Sequence, residues 1–97
     1  MHLSSAPLVP DRPRAIVIGA GIAGLAASLR LAVGGMQVTL LERHNHPGGK
    51  IRTLHSDAGP VDAGPTVLTM RHVFDDLFAC ASEQVRDHVT LVPQSIL

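Results

Sequence analysis

Apolar and polar positions change their period along this chain in a definite order. Arg14 leads into Ala15-Ile16-Val17-Ile18, a β-branched run bounded by Pro13 and Gly19. Such a run predicts a short strand buried on both faces. Glycines follow at once, and then Ile22, Leu25, Ala26, Leu29 and Val33 recur at helical spacing before Gly34-Gly35 supply a stop. That pattern predicts a crossover helix of about three turns. Met36 to Leu41 is a second β-rich run and ends at Glu42. Residues 14 to 42 therefore read as one β-α-β unit whose two strands lie parallel through a right-handed crossover.

Beyond Glu42 the signals shorten. Arg43 to Lys50 reads as a loop punctuated by Pro47-Gly48-Gly49, and Ile51 to Leu54 as a short strand. Ser56 to Pro60 and Asp62-Ala63-Gly64-Pro65 are turn chemistry, with Thr66-Val67-Leu68 as a short extended piece. Val73, Phe74, Leu77, Phe78 and Ala81 mark a second amphipathic helix, with Thr69 as N-cap and Asp75-Asp76 early in it. His88 to Val92 reads as a further strand. The expected organisation is a disordered leader over residues 1–13, and over 14–97 the N-terminal part of a Rossmann-like α/β domain. Its doubly wound parallel sheet is incomplete, and the substrate domain is absent. The chain stops at Leu97 without a terminating signal, which reads as truncation, and uncovered sheet edges predict poor autonomous folding.

Composition narrows the function classes. Eight basic residues balance eight acidic ones, and neither sign forms a run, which removes the electrostatic footprint of a nucleic-acid or anionic-membrane binder and excludes nucleic acid. Cys80 is the only cysteine, so no internal disulfide forms and a reducing, cytoplasmic compartment fits best. The proline-bearing leader lacks the continuous apolar stretch of a signal peptide. No run approaches the roughly 18 to 20 apolar residues of a membrane-spanning helix.

The candidate chemistry lies in the first β-α turn. Gly19-Ala20-Gly21-Ile22-Ala23-Gly24 satisfies G-x-G-x-x-G between a strand and the helix it opens, where the motif's mechanism requires it. Gly19 permits the tight turn, Gly21 lets the backbone approach a pyrophosphate, and Gly24 lets helix and strand pack closely. The N–H groups at the start of the helix, at Ile22, Ala23 and Gly24, would then face the phosphates. Glu42 terminates the second strand, where a carboxylate accepts hydrogen bonds from an adenosine ribose and disfavours a 2′-phosphate. The plainer alternative is a glycine turn that is only a turn and a strand-end glutamate that is only solvated.

The β-α-β unit alone does not separate FAD from NAD, because both present an ADP half to it. The next segment, Glu42-Arg43-His44-Asn45-His46-Pro47-Gly48-Gly49-Lys50, resembles the extended signature of the flavoprotein group that includes amine oxidases and carotenoid desaturases. Two adjacent glycines let the backbone pass close to a cofactor, and Lys50 adds charge near phosphates. Asp62 to Met70 and Val73 to Phe78 are similar to the corresponding stretch of bacterial-type phytoene desaturases. The wording Thr69-Met70-Arg71-His72-Val73-Phe74 most resembles the hydroxyneurosporene or methoxyneurosporene desaturases of that family.

The resemblance implies an FAD-dependent oxidoreductase that introduces carbon–carbon double bonds into an acyclic carotenoid, with peripheral membrane association of the complete enzyme. It assigns Gly19, Gly21, Ile22, Ala23, Gly24, Glu42, Arg43, Gly48, Gly49, Lys50 and Thr66 to cofactor binding and names no catalytic residue. For Thr66, as for Asp62, Gly64 and Pro65, a structural turn is the competing reading. An amine-oxidase-like flavoenzyme and an inactive fragment that binds nothing are the alternatives for the whole.

Three other features carry less. His44 and His46 lack a third ligand at metal spacing and read as a solvated loop. Cys80 has no cationic cluster beside it and reads as packing. Phe74, Leu77 and Phe78, at helical spacing, read as core rather than as a lipid anchor.

Overall fold

Strand β1 (Arg14–Ile18), helix α1 (Ile22–Val33) and strand β2 (Gln37–Leu41) form where the apolar periods place them. The structure, a computed structural model, describes residues 11–95. The two strands pair in parallel, with Arg14 opposite Gln37 and Ile18 opposite Leu41. The ladder runs on at both ends, because Gln37 donates to the Pro13 carbonyl at 2.7 Å and Gly19 to the Leu41 carbonyl at 2.7 Å. Of the expected leader, residues 1–10 lie outside the described residues, while the Pro13 carbonyl, just before β1, accepts the Gln37 N–H.

The β1 side chains divide by parity, as the period of two demands. Ala15 and Val17 are half-buried on the α1 side, whereas Ile16 and Ile18 are 68% and 84% exposed. This corrects the expectation of a strand buried on both faces. A continuous β-branched run fits a two-sided burial, but among the described residues only α1 packs on this two-stranded parallel sheet. The buried apolar residues are Ala20 and Leu40 in the β-α-β unit and Val85 after α2, and Gln37 and Glu42 are buried as well.

A hairpin follows the β2 loop. Strand β3 (Thr53–Ser56) pairs antiparallel with β4 (Gly59–Asp62), Thr53 opposite Asp62 and Ser56 opposite Gly59. The strand expected at Ile51–Leu54 is therefore shifted by two residues, and the turn expected over Ser56–Pro60 shrinks to Asp57-Ala58. Ser56 Oγ donates to the Gly59 carbonyl at 2.6 Å and closes it. Pro60 lies inside β4, which two-stranded pairing tolerates because its missing N–H faces away from a ladder. Thr66-Val67-Leu68 joins no strand.

Helix α2 spans Arg71–Ala79. Its N-cap is Met70 rather than Thr69, in the left-handed region at φ 53° and without a side-chain cap. Asp75 and Asp76 fall in its second turn, where Asp75 meets Arg71 at 3.3 Å. Phe74, Leu77 and Phe78 are half-buried. The strand expected at His88–Val92 does not form. Val85–Asp87 makes a 3-10 turn instead, α3, and Val89 N–H and His88 N–H both return to the Val85 carbonyl. A β-branched run needs a ladder partner to become a strand, and here local turn bonds take its donors.

Candidate functional site

The turn from β1 to α1 is three residues long, Gly19 to Gly21. Gly19 sits at φ +101°, a conformation L side chains rarely adopt, so the turn as built requires glycine there. Gly21 is the N-cap of α1, in extended backbone; among the described residues no side chain caps the helix, and its first turn holds no acid. Leu25 N–H returns to the Gly21 carbonyl at 2.9 Å, so the N–H groups of Ile22, Ala23 and Gly24 precede the first intrahelical bond. The positive end of the helix dipole is thus left to whatever binds in front of it. Ile22 and Ala23 are exposed.

Gly24 and Gly21 serve different ends. A Cβ on Gly24 would run into the Gly19 carbonyl oxygen, with Val17 Cγ1 at 3.6 Å, so this glycine lets α1 lie on β1. A Cβ on Gly21 would meet only the Gly49 Cα, at 4.0 Å. Packing within the described residues therefore permits a side chain at Gly21, and the open space in front of it suits a ligand that must touch backbone.

The segment after β2 folds back onto this turn. Glu42 is buried, and its carboxylate accepts the Ala20 N–H at 2.9 Å through Oε1 and the His44 N–H at 2.8 Å through Oε2. These bonds hold its pKa below the ordinary carboxylate value, the His44 N–H first and the Ala20 N–H second, against the opposing effect of burial. Gly48 N–H donates to the Ala20 carbonyl at 2.8 Å. Gly49 comes so near Gly21 that a Cβ on it would stand 3.1 Å from the Gly21 Cα. The two glycine motifs, distant in sequence, are one backbone cluster.

The remaining expected residues surround it unevenly. Arg43 is exposed and its Nε reaches His44 Nε2 at 3.4 Å. Lys50 is exposed, and its carbonyl lies where Gly64 would carry a Cβ. Gly64 thereby lets the Asp62–Pro65 turn pass over the glycine segment; sequence reading found its turn but not this contact. Thr66 stands apart, on a groove of about 820 Å³ shared with Leu68, Leu91 and Pro93 and with none of the clustered glycines. A second groove, about 540 Å³, runs past His44, His46, Arg52 and Pro65 and touches the cluster only at Gly49. His44 and His46 stack at 6.1 Å, and among the described residues no group of three metal-ligating side chains gathers there. Cys80 is half-buried and its thiol points to the Leu77 carbonyl. No helix among the described residues is long and apolar enough to cross a membrane.

Comparison with known proteins finds relatives over most of the chain. Hydroxyneurosporene desaturase of Cereibacter sphaeroides is 56% identical over 85 residues, 88% of this chain and 17% of that protein. The enzyme of the same name from Rubrivivax gelatinosus is 52% identical over 84 residues, 87% of this chain and 16% of its own length. 4,4'-Diaponeurosporene oxygenase of Staphylococcus haemolyticus is 40% identical over 81 residues, covering 84% of this chain and 16% of that protein. The chain thus spans about a sixth of the length of the curated relatives it matches. The NAD(P)-binding Rossmann-like domain family matches residues 17–84, most of the chain and the whole of the glycine cluster, and this chain belongs to that family.

Proposed function

We propose that this chain holds the ADP half of FAD and forms the cofactor-binding part of an oxidoreductase that desaturates acyclic carotenoids. The observation that carries the reading is the joining of Gly21, at the mouth of α1, to Gly49 and Glu42 from the segment after β2. An ADP pyrophosphate in front of Gly21 would accept from the N–H groups of Ile22, Ala23 and Gly24 and gain from the helix dipole. Glu42 would accept from the ribose hydroxyls, and its charge would repel a 2′-phosphate. Arg43 and Lys50 supply positive charge at the rim, and Gly48-Gly49 keep the backbone low where the cofactor passes. Thr66 would enter only at the far end of the cofactor.

FAD supplies the two-electron acceptor for removing two hydrogens from a saturated carbon–carbon bond. The substrate reading follows from the hydroxyneurosporene desaturases, 51–56% identical over the matched residues. A carotenoid dissolves in lipid, so the complete enzyme would work at a membrane surface. Titration of the purified protein with FAD, NAD and NADP, followed by fluorescence and calorimetry, tests the cofactor. FAD binding in preference to both nicotinamide cofactors is the expected result; NAD binding without FAD would overturn it. Carotenoid conversion by the complete flavoenzyme, followed by the red shift of the polyene spectrum, tests the substrate, and turnover of an amine instead would favour the amine-oxidase reading.

A further inference from the structure

We infer that Glu42 is a positioning residue that holds the glycine turn in its binding shape before any nucleotide arrives, in addition to the ribose contact proposed above; the inference rests on that reading of the site. Ala20, between the two turn glycines, is 0% exposed. Its N–H goes to Glu42 Oε1 at 2.9 Å, and its carbonyl receives Gly48 N–H at 2.8 Å. Both polar groups of one residue in a three-residue turn are thus taken by the segment that follows β2. Neither β1 nor α1 offers the Ala20 N–H an acceptor, because the parallel ladder ends at Gly19 and the helix begins beyond it. Without the carboxylate a buried backbone N–H would be left unsatisfied, and such groups are rare because they are costly.

The carboxylate is itself fixed. Oε2 takes the His44 N–H at 2.8 Å, so the side chain bridges the turn on one side and its own loop on the other. A residue that served only a ribose would need no bond across 22 residues to the phosphate-facing turn. The consequence is preorganisation: Glu42 should matter to a ligand with no ribose hydroxyls to offer it.

The test uses ADP and 2′,3′-dideoxy-ADP, titrated calorimetrically into the wild-type protein, Glu42→Ala and Glu42→Gln. Both ligands should weaken about tenfold or more in Glu42→Ala, the loss expected when a buried group loses its hydrogen bond. Glu42→Gln, which keeps one acceptor oxygen, should fall between. Unchanged dideoxy-ADP affinity alongside weakened ADP binding would overturn the inference and leave the dinucleotide reading standing. If the wild type binds neither nucleotide, the dinucleotide reading fails, and amide hydrogen exchange of the ligand-free protein decides the positioning role. Ala20 should then lose at least about tenfold protection in Glu42→Ala while Leu40 in β2 keeps its own. Unchanged Ala20 protection, or equal loss at Ala20 and Leu40, would overturn it.

Discussion

Glu42 Oε1 accepts the N–H of Ala20 at 2.9 Å, and this bond joins the end of β2 to the turn that opens α1. The strand-end acid and the glycine fingerprint are therefore one unit. Parallel pairing of β1 with β2 sets Ile18 opposite Leu41, so the residues just past each strand emerge side by side.

Gly21→Val should abolish nucleotide binding while leaving the fold intact. Its backbone is in an ordinary extended conformation, and a Cβ there would contact only Gly49 Cα, at 4.0 Å. The branched side chain would instead fill the space a pyrophosphate needs. Thermal melting within a few degrees of wild type, with FAD affinity lost, is the expected pair of results.

Gly24→Ala should do the reverse. Its methyl group would strike the Gly19 carbonyl oxygen, and a backbone atom cannot swing aside as a side chain can. The expected cost is about 2–3 kcal/mol from forced overpacking. Urea unfolding midpoints would reveal it, and a variant as stable as wild type would refute the close packing of α1 on β1.

Acid should weaken the protein through Glu42. The His44 N–H and then the Ala20 N–H depress its pKa, helped by the charge of His44, so the folded state binds this proton less readily than the unfolded chain. A depressed carboxylate contributes stability that is present above its unfolded pKa and lost as pH falls through the folded value. The stability difference between wild type and Glu42→Gln should therefore be constant near neutrality and shrink below the ordinary value of 4.5. Denaturant titrations across that range measure it; a difference independent of pH would contradict the sign.

Ser28→Ala should stabilise. The Ser28 hydroxyl is buried on α1 without a hydrogen-bond partner among the described residues. Alanine removes an unsatisfied group and is the better helix former, for a gain of about 0.5–1 kcal/mol. A lower urea midpoint in the variant would show that the hydroxyl is satisfied in solution.

Ile18→Thr should cost under about 1 kcal/mol and reduce binding of a hydrophobic dye. Ile18 is 84% exposed beside Ile16, and together they form an apolar patch on the sheet face that the described residues leave open. Undiminished dye fluorescence would mean that this face is covered in solution.

Local pattern alone determined the β-α-β unit and the contents of its site. Periods of two and of 3.6 are properties of single segments, and the glycine spacing places φ-permissive residues at a turn with no need of distant contacts. Glu42 was legible for the same reason, since a strand has an end wherever it folds. The parts that depend on partners were not. Whether Ile16 and Ile18 are covered, whether Val89-Thr90-Leu91 finds a ladder, and where β3 pairs with β4 depend on surfaces supplied from elsewhere in the chain. Even the N-cap of α2 moved from Thr69 to Met70, because a left-handed backbone there opens the helix without a side-chain bond. Tertiary structure alone placed Gly49 against Gly21 and Gly64 against Lys50, and it turned Glu42 inward to the Ala20 N–H. A carboxylate's identity is written in the chain, but the donors that surround it are chosen by the folding of the backbone around it.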